Sequence, residues 1–277
     1  MTLRRNGVPT IRAARWAGLD RSTLYYPPRE RSRRAPRSDE PKVLPHLRRI
    51  AFAHPTYGHR RVWAMLRRAG ISVNRKRVHR LMAVEGLLRP AHFPRPRLPP
   101  TGRLIADRPN ARWYTDLTEV ETTDFGPCPL MAILDACTRE AVAWEFFPSC
   151  GASEALSVVE TAVAQRFPRV LRARETVLVT DQGSQFIAKR FIEGTRLLGL
   201  DLRWTRKKRP EDNGLQESFH GHLKMDYLWV REPESFLETR ARLAESIRHY
   251  NEERPHSSLG YLTPKEFAER KMEGQEA

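Results

Sequence analysis

The chain has 277 residues, of which 40% are hydrophobic, enough to bury the core of one large domain or two smaller ones. No window approaches 18 uninterrupted apolar residues, so no transmembrane helix is expected. The net charge is +16 and unevenly placed: residues 1–103 carry 25 Lys+Arg and 5 Asp+Glu, a net of +20, while the rest carries 49 − 25 = 24 basic and 33 − 5 = 28 acidic residues, a net of −4. A basic front half beside a near-neutral back half suggests a polyanion-binding module joined to a second unit.

In chain order, residues 10–26 read as a helix-turn-helix. Ala14 packs between helices, Gly18 turns the chain, and Leu24 anchors a second helix that opens at Asp20 and carries Arg21, Ser22, Thr23 and Tyr25. Pro27-Pro28 and the Arg/Ser/Pro-rich stretch to Pro41 read as an extended linker. A second helical pair follows within residues 59–86. Val62, Met65, Leu66 and Ala69 follow a helical stripe that stops at Gly70. Asn74 then caps a helix with Val78, Leu81 and Met82 on its apolar face. Arg75, Lys76, Arg77, His79 and Arg80 crowd its first turns, where cations oppose the helix dipole; a phosphate partner accounts for them better than helix stability does. A second Pro-rich linker runs from Pro90 to about Pro109.

From residue 112 the texture changes. Arg112–Val120, Leu130–Thr138 and Glu140–Phe147 read as strands, Ser153–Gln165 as a helix and Thr176–Thr180 as a short strand. Phe186–Leu198 reads as a helix, Asp201–Thr205 as a strand, and Asp212–Tyr227 and Glu234–Tyr250 as long helices. The order βββαβαβαα implies an α/β mixed sheet flanked by helices. The domains expected are 1–40 (helix-turn-helix and basic linker), 41–92 (helical DNA-binding domain), 93–109 (linker) and 110–277 (catalytic core and tail). Cys128, Cys137 and Cys150 form no CxxC pair and have no histidine at zinc spacing; they read as small buried hydrophobes.

Three acids stand out. Asp116 lies mid-strand in Trp113-Tyr114-Thr115-Asp116, where a carboxylate is costly to bury unless it is paired or holds a metal. Asp181 follows the strand ending at Thr180, in the position that faces the ligand crevice of open α/β sheets. Glu217 lies early on a helix, on a polar stripe with His220, Gly221 and Lys224, opposite Leu215, Phe219 and Leu223. Hard oxygen ligands of this kind suit Mg2+, with Mn2+ able to substitute, and two such ions can promote in-line displacement at phosphorus. Asp124 and Asp135 are competing candidates; Asp135 reads as a turn-capping residue before Ala136-Cys137-Thr138-Arg139.

At these residues the sequence resembles the insertion-sequence transposases of the integrase-core superfamily, most closely the second-reading-frame proteins of the IS-three family. Asp181 and Glu217 have 217 − 181 − 1 = 35 residues between them, matching that family's D-D-35-E signature. The words Thr180-Asp181-Gln182-Gly183-Ser184-Gln185-Phe186, Asp212-Asn213-Gly214, Glu217-Ser218-Phe219, Tyr250-Asn251, Arg254-Pro255-His256, Leu259-Gly260 and Thr263-Pro264 match as well. So does Tyr57-Gly58-His59-Arg60-Arg61 upstream. The resemblance covers residues 10–268 and departs from the family at Arg206–Glu211, where many members carry a Gly/Cys-containing loop.

The resemblance implies a ribonuclease H-like core, Asp116, Asp181 and Glu217 as ligands of two Mg2+ ions, and Lys224 as a DNA contact near the cut. Arg60, Arg61, Arg75, Lys76, Arg77 and Arg80 are the further candidates for contacts to DNA. It implies a bacterial, cytoplasmic, nucleoid-associated enzyme that cleaves element ends and transfers the 3′ hydroxyl to target DNA as a homo-oligomer. No leucine-zipper heptads open the chain; in this family they often come from an upstream frame, so an upstream-frame partner is also implied. The rival readings are a nuclease that cuts without joining, activity only with that partner, and a non-catalytic DNA-binding repressor.

Overall fold

The computed structural model describes residues 40–88, 106–205, 214–228 and 234–273. The helix-turn-helix expected at 10–26, most of both Pro-rich linkers and the basic loop at 206–211 lie outside these residues. By compactness the chain divides into 1–45 and 46–277. Only residues 40–45 of the first unit are described, and they open helix α1 (Glu40–Ala53).

Helix α1 lies in the expected helical domain 41–92 but ahead of the helical pair assigned within 59–86, and it starts where the linker is expected to end at Pro41. Pro41 occupies a first-turn position, where a missing N–H costs nothing, whereas Pro45 lies inside the helix. Helices α2 (His59–Arg68) and α3 (Arg75–Val84) stand where expected. On α2, Val62, Ala64 and Leu66 are buried, while Met65 is half-exposed and Ala69 is exposed. Gly70, at φ +76°, stops the helix in the left-handed region. Asn74 Oδ1 accepts from Lys76 N at 2.8 Å and caps α3, which buries Val78, Leu81 and Met82. Trp63 Nε1 donates to Val73 O at 2.9 Å and ties α2 to the turn.

The core is a five-stranded sheet in the order β3-β2-β1-β4-β5. Its strands are β1 (Arg112–Thr122), β2 (Gly126–Asp135), β3 (Ala141–Phe146), β4 (Thr176–Thr180) and β5 (Leu200–Trp204). The first three form an antiparallel meander, and β4 and β5 add in parallel, so the sheet is mixed as expected. β2 begins earlier than the sequence suggests because it runs through Pro127 and Pro129. These pair with Glu121 and Glu119 of β1, ahead of the first β2–β3 partner pair at Leu130 and Phe146. At Pro127 β2 is a hairpin arm paired with β1, where an edge tolerates proline, and at Pro129 only the carbonyl is used on the β3 side, accepting from Phe147 N at 3.0 Å.

Strand alternation sorts the side chains onto two faces. Trp113, Met131, Ile133 and Leu178 face helices α4 (Ala152–Arg166), α5 (Ser184–Ile187) and α6 (Lys189–Leu197). The expected single helix 186–198 is broken at Ala188, which is extended (ψ 138°). Five residues of unbroken helix would turn Phe186 and Phe191 about 140° apart. The break lets both bury in one cluster and meet edge to face at 5.2 Å.

The opposite face carries Leu130, Ala132 and Leu134 against α7 (Gly214–Leu223) and α8 (Phe236–Glu252). A π-helical turn, Lys224–Leu228, continues α7. Ser235 caps α8 in a reciprocal box with Glu238. A short 3₁₀ turn (Ser257–Leu259) leads to α9 (Pro264–Glu273), a helix the sequence reading did not include. Its signal was present: Thr263-Pro264-Lys265-Glu266 is a capping box with proline at the first helical position. Thr263 N donates to Glu266 Oε2 at 2.8 Å and Glu266 N to Thr263 Oγ1 at 3.2 Å.

Candidate active site

The site candidates converge where the sheet splits. β1 and β4 pair in parallel through Arg112–Val177, Trp113–Leu178 and Tyr114–Val179, and then stop. Asp116 and Asp181 each lie two residues beyond that last pair (114 + 2 and 179 + 2). The two acids thus stand at equivalent steps on neighbouring strands, on either side of the split. Both share the alternation of Tyr114 and Val179, which face Leu215 of α7. The crevice is therefore on the face that α7 covers, at the carboxyl ends of β1's paired segment and β4, where the strand order changes direction.

Local hydrogen bonds hold both carboxylates. Asp116 Oδ1 accepts from Leu117 N at 2.9 Å, and Asp181 Oδ1 accepts from Gly183 N at 3.0 Å in the turn that leads to α5. Thr180 Oγ1 donates to the Asp181 carbonyl at 2.9 Å, which steadies the chain as it leaves the strand.

Glu217 lies on α7, whose buried side is Gln216, Phe219, His220 and Leu223. Glu217 is exposed and Lys224 half-buried, and at seven residues' separation they share one flank of the helix. His220 departs from the expected polar stripe. It is 8% exposed, and burial, reinforced by Lys224, pushes its pKa down to about 4, so it is buried as the neutral imidazole. Gln216 is completely buried, and its Nε2 donates to Tyr114 O at 2.6 Å and to Ala132 O at 3.1 Å. Among the described residues, no three His, Cys, Asp or Glu side chains stand close enough to enclose a metal ion. The register thus brings Asp116 and Asp181 together, while Glu217 stays at the helix flank. The donor chemistry of the two aspartates, carboxylates at a crevice, fits a hard divalent cation.

The competing acids are occupied elsewhere. Asp135, 1% exposed, accepts from Cys137 N, Thr138 N and Asn110 N at 2.8, 2.9 and 2.6 Å, the turn-capping role expected for it. Asp124 accepts from Phe236 N at 2.9 Å and pins the β1–β2 hairpin to the start of α8.

The basic candidates divide by exposure. Arg60, Arg75 and Lys76 are exposed, and Arg61, Arg77 and Arg80 are half-buried. Arg61 lies over the Tyr57 ring, 5.6 Å from its centroid. Around it the helical segment meets the C-terminal helices. His54 stacks on Tyr57 at 4.5 Å and lies 5.1 Å from His249 of α8. Arg68 pairs with Glu266, and Trp63 meets Tyr261 edge to face at 5.5 Å.

Beside them lies a buried ion pair, Arg254 Nε to Asp226 Oδ2 at 3.1 Å, with side chains 1% and 7% exposed. His222 and His256 adjoin it; burial first, and then the Arg254 charge, pushes their pKa values to about 4 and about 3. Sequence reasoning quoted Arg254 and His256 as family words without a role, and it missed Asp226 and Gln216. No periodicity marks such residues, because their partners are distant in the chain.

Comparison with known proteins matches these features. Integrase core domain families match residues 106–210 and 198–264, and an HTH-like domain family matches residues 38–95. Transposase InsD for insertion element IS2A/D/F/H/I/K of Escherichia coli is 35% identical over 246 residues, covering 85% of this chain and 81% of the relative. Transposase InsD for insertion element IS2-9 of Escherichia coli (strain K12) is also 35% identical over 246 residues, covering 85% of this chain and 79% of its own length. Among solved structures, a chain of the simian T-cell lymphotropic virus intasome in complex with PP2A regulatory subunit B56 gamma aligns with a TM-score of 0.51 at 17% identity, over 80% of this chain and 74% of that one. This last likeness is one of fold, and it identifies the mixed sheet as a ribonuclease H-like integrase core. The chain belongs to the insertion-sequence transposases of the IS-three family, DDE-type polynucleotidyl transferases with an HTH-like DNA-binding domain and an integrase core.

Proposed function

We propose that this transposase cleaves phosphodiester bonds at the ends of its element and transfers the freed 3′ hydroxyl to target DNA, with Asp116, Asp181 and Glu217 holding two Mg2+ ions. The observation that carries the reading is the placement of Asp116 and Asp181 at equal steps beyond the last β1–β4 pair, on the face covered by the helix of Glu217. When bound, the ions supply positive charge to the attacking and leaving oxygens of an in-line displacement, and Mn2+ can serve in their place.

The chain's own groups do the rest. Backbone N–H bonds orient one oxygen of each aspartate, limiting the conformational freedom to be lost on binding. Three carboxylates sharing one crevice repel one another, so the set is stable together only around cations. Glu217 completes the set by moving toward the aspartates. Lys224, on the same helix flank, attracts the phosphate backbone beside the cut. Arg60, Arg75 and Lys76 hold DNA by its phosphates, with Arg61, Arg77 and Arg80 behind them, which makes binding fall with salt. The attacking group is a hydroxyl of water or DNA, so no serine or tyrosine nucleophile is assigned. Pairing two element ends calls for a homo-oligomer on DNA, with an upstream-frame partner as a further component.

The test is strand transfer on labelled end DNA with magnesium, comparing wild type with Glu217→Gln. Loss of both cleavage and joining supports the assignment, and survival of both sinks it. Wild-type protein that cuts without joining is instead a nuclease. DNA binding without cleavage, even with the upstream-frame product added, identifies a repressor.

A further inference from the structure

We propose that Gln216 is a positioning residue that sets the catalytic helix over the strands at Asp116 and so decides whether Glu217 can share a cation with the two aspartates. The inference rests on the reading of the three acids as ion ligands.

Gln216 is an amide at a fully buried position whose helical neighbours Phe219 and Leu223 are apolar. Burying an amide is unfavourable unless its hydrogen bonds are made. Here both bonds go to one place. The Nε2 group donates to Tyr114 O, two residues before Asp116 on β1, and to Ala132 O, whose residue is the partner of Asp116 on β2. One NH2 group therefore joins α7 to both strands at the level of the catalytic acid. Each carbonyl oxygen has two lone pairs, so it can accept this bond besides its part in the ladder. Two carbonyl acceptors also fix which way round the amide lies, leaving Oε1 buried without a hydrogen-bond partner among the described residues. That is a cost an apolar side chain would avoid, and it marks the position as more than space-filling.

Apolar contacts are non-directional, so Phe219 and Leu223 would tolerate a small slide or roll of the helix. Two hydrogen bonds from one planar group would not, because they weaken steeply with angle. Glu217 is the next residue, with its Cα about 3.8 Å from that of Gln216, so movement at Gln216 passes directly to it. Catalytic groups must hold position to within about 0.5 Å. Gln216 supplies that restraint where exposed Glu217 has no buried anchor of its own.

The experiment uses the full-length protein and Gln216→Met, which keeps the length of the side chain and removes both bonds. Mn2+ affinity is measured by titration in the absence of DNA, alongside the melting temperature, end-DNA affinity, and the kcat and KM of end cleavage. The expected result is a folded protein that binds end DNA as wild type does. Its Mn2+ affinity falls about 10-fold or more, the scale seen when groups supporting metal ligands are removed. Its kcat falls with little change in KM for DNA and recovers partly at high Mn2+. Wild-type Mn2+ affinity in folded Gln216→Met overturns the proposal. If Gln216→Met does not fold, Gln216→Asn, which draws the amide back by one methylene, is read in the same titration with the same criteria. Glu217→Gln is the control. If it also binds Mn2+ as wild type does, the ion-ligand reading falls and this inference falls with it. If Glu217→Gln loses affinity while the Gln216 variant does not, only the positioning role is wrong.

Discussion

On the α4 side of the sheet, Trp113, Ile133, Val159, Leu178, Phe186 and Phe191 pack into an apolar cluster. On the α7 side, Leu130, Ala132, Phe219 and Leu243 share their space with buried Gln216, His220, Arg254 and His256. Among the described residues, the buried Asp, His and Arg side chains are Asp135, His220, Arg254 and His256, and none belongs to α4, α5, α6, β4 or β5. The same strands thus contribute a sealing face and a positioning face. Apolar burial supplies stability without direction, and directional polar bonds supply placement at a cost in desolvation. The candidate catalytic acids lie on the face that carries that cost.

The largest test of the contrast is to remove a candidate ligand. Asp116→Asn or Glu217→Gln should lower end cleavage and strand transfer by more than about 10³-fold, with melting temperature and DNA affinity nearly unchanged. End-cleavage kinetics beside a thermal melt check this, and a parallel loss of folding would remove the distinction between the two faces. Next comes the buried pair. Arg254→Met leaves Asp226 without its ion-pair partner and should destabilise the fold by about 3–5 kcal/mol, much of it recovered in the double variant Arg254→Met, Asp226→Leu. Urea unfolding of the three proteins measures this, and a double variant no more stable than the single would refute it.

On the sealing face, Leu178→Ala should cost about 2–5 kcal/mol by leaving a cavity at a fully buried site, while kcat per folded molecule stays at the wild-type value. Denaturant midpoints and active-site-normalised cleavage rates separate the two effects. The last effect is graded with pH. His220, His222 and His256 have pKa values pushed from 6.5 to about 4, about 4 and about 3, chiefly by burial. The unfolded chain therefore binds more protons between those values, so stability is complete above pH 6.5 and falls as the pH drops toward 4. Urea midpoints at pH 7.5 and pH 5 should show the decline, and His256→Gln should make it shallower.

Much of the core was legible in order along the chain. β4 has the limits expected from Thr176–Thr180, and Asn74 and Gly70 bound their helices as their chemistry requires. The failures have particular causes. Pro41, where the first linker is expected to end, sits instead in an opening helical turn, and β2 starts before the expected Leu130 because its hairpin arm accommodates Pro127 and Pro129. Ala188 carries no breaking signal, since the break satisfies two phenylalanines that must reach one cluster. His220 has helical spacing with Glu217, but spacing alone does not say how far a helix has rolled onto its sheet.

The candidate site divides in the same way. Three carboxylates, a 35-residue interval and a basic front half are properties of residue type and order, and they suffice to name a chemistry. That Asp116 and Asp181 take equivalent steps on neighbouring strands follows only once β1 and β4 pair in parallel register, 65 residues apart in the chain (181 − 116). That Gln216 grips β1 and β2, and that Asp226 meets Arg254, likewise depends on which surfaces pack together. Local propensity acts over a few residues, whereas these contacts are selected by burial across the whole core, which no stretch of chain specifies alone.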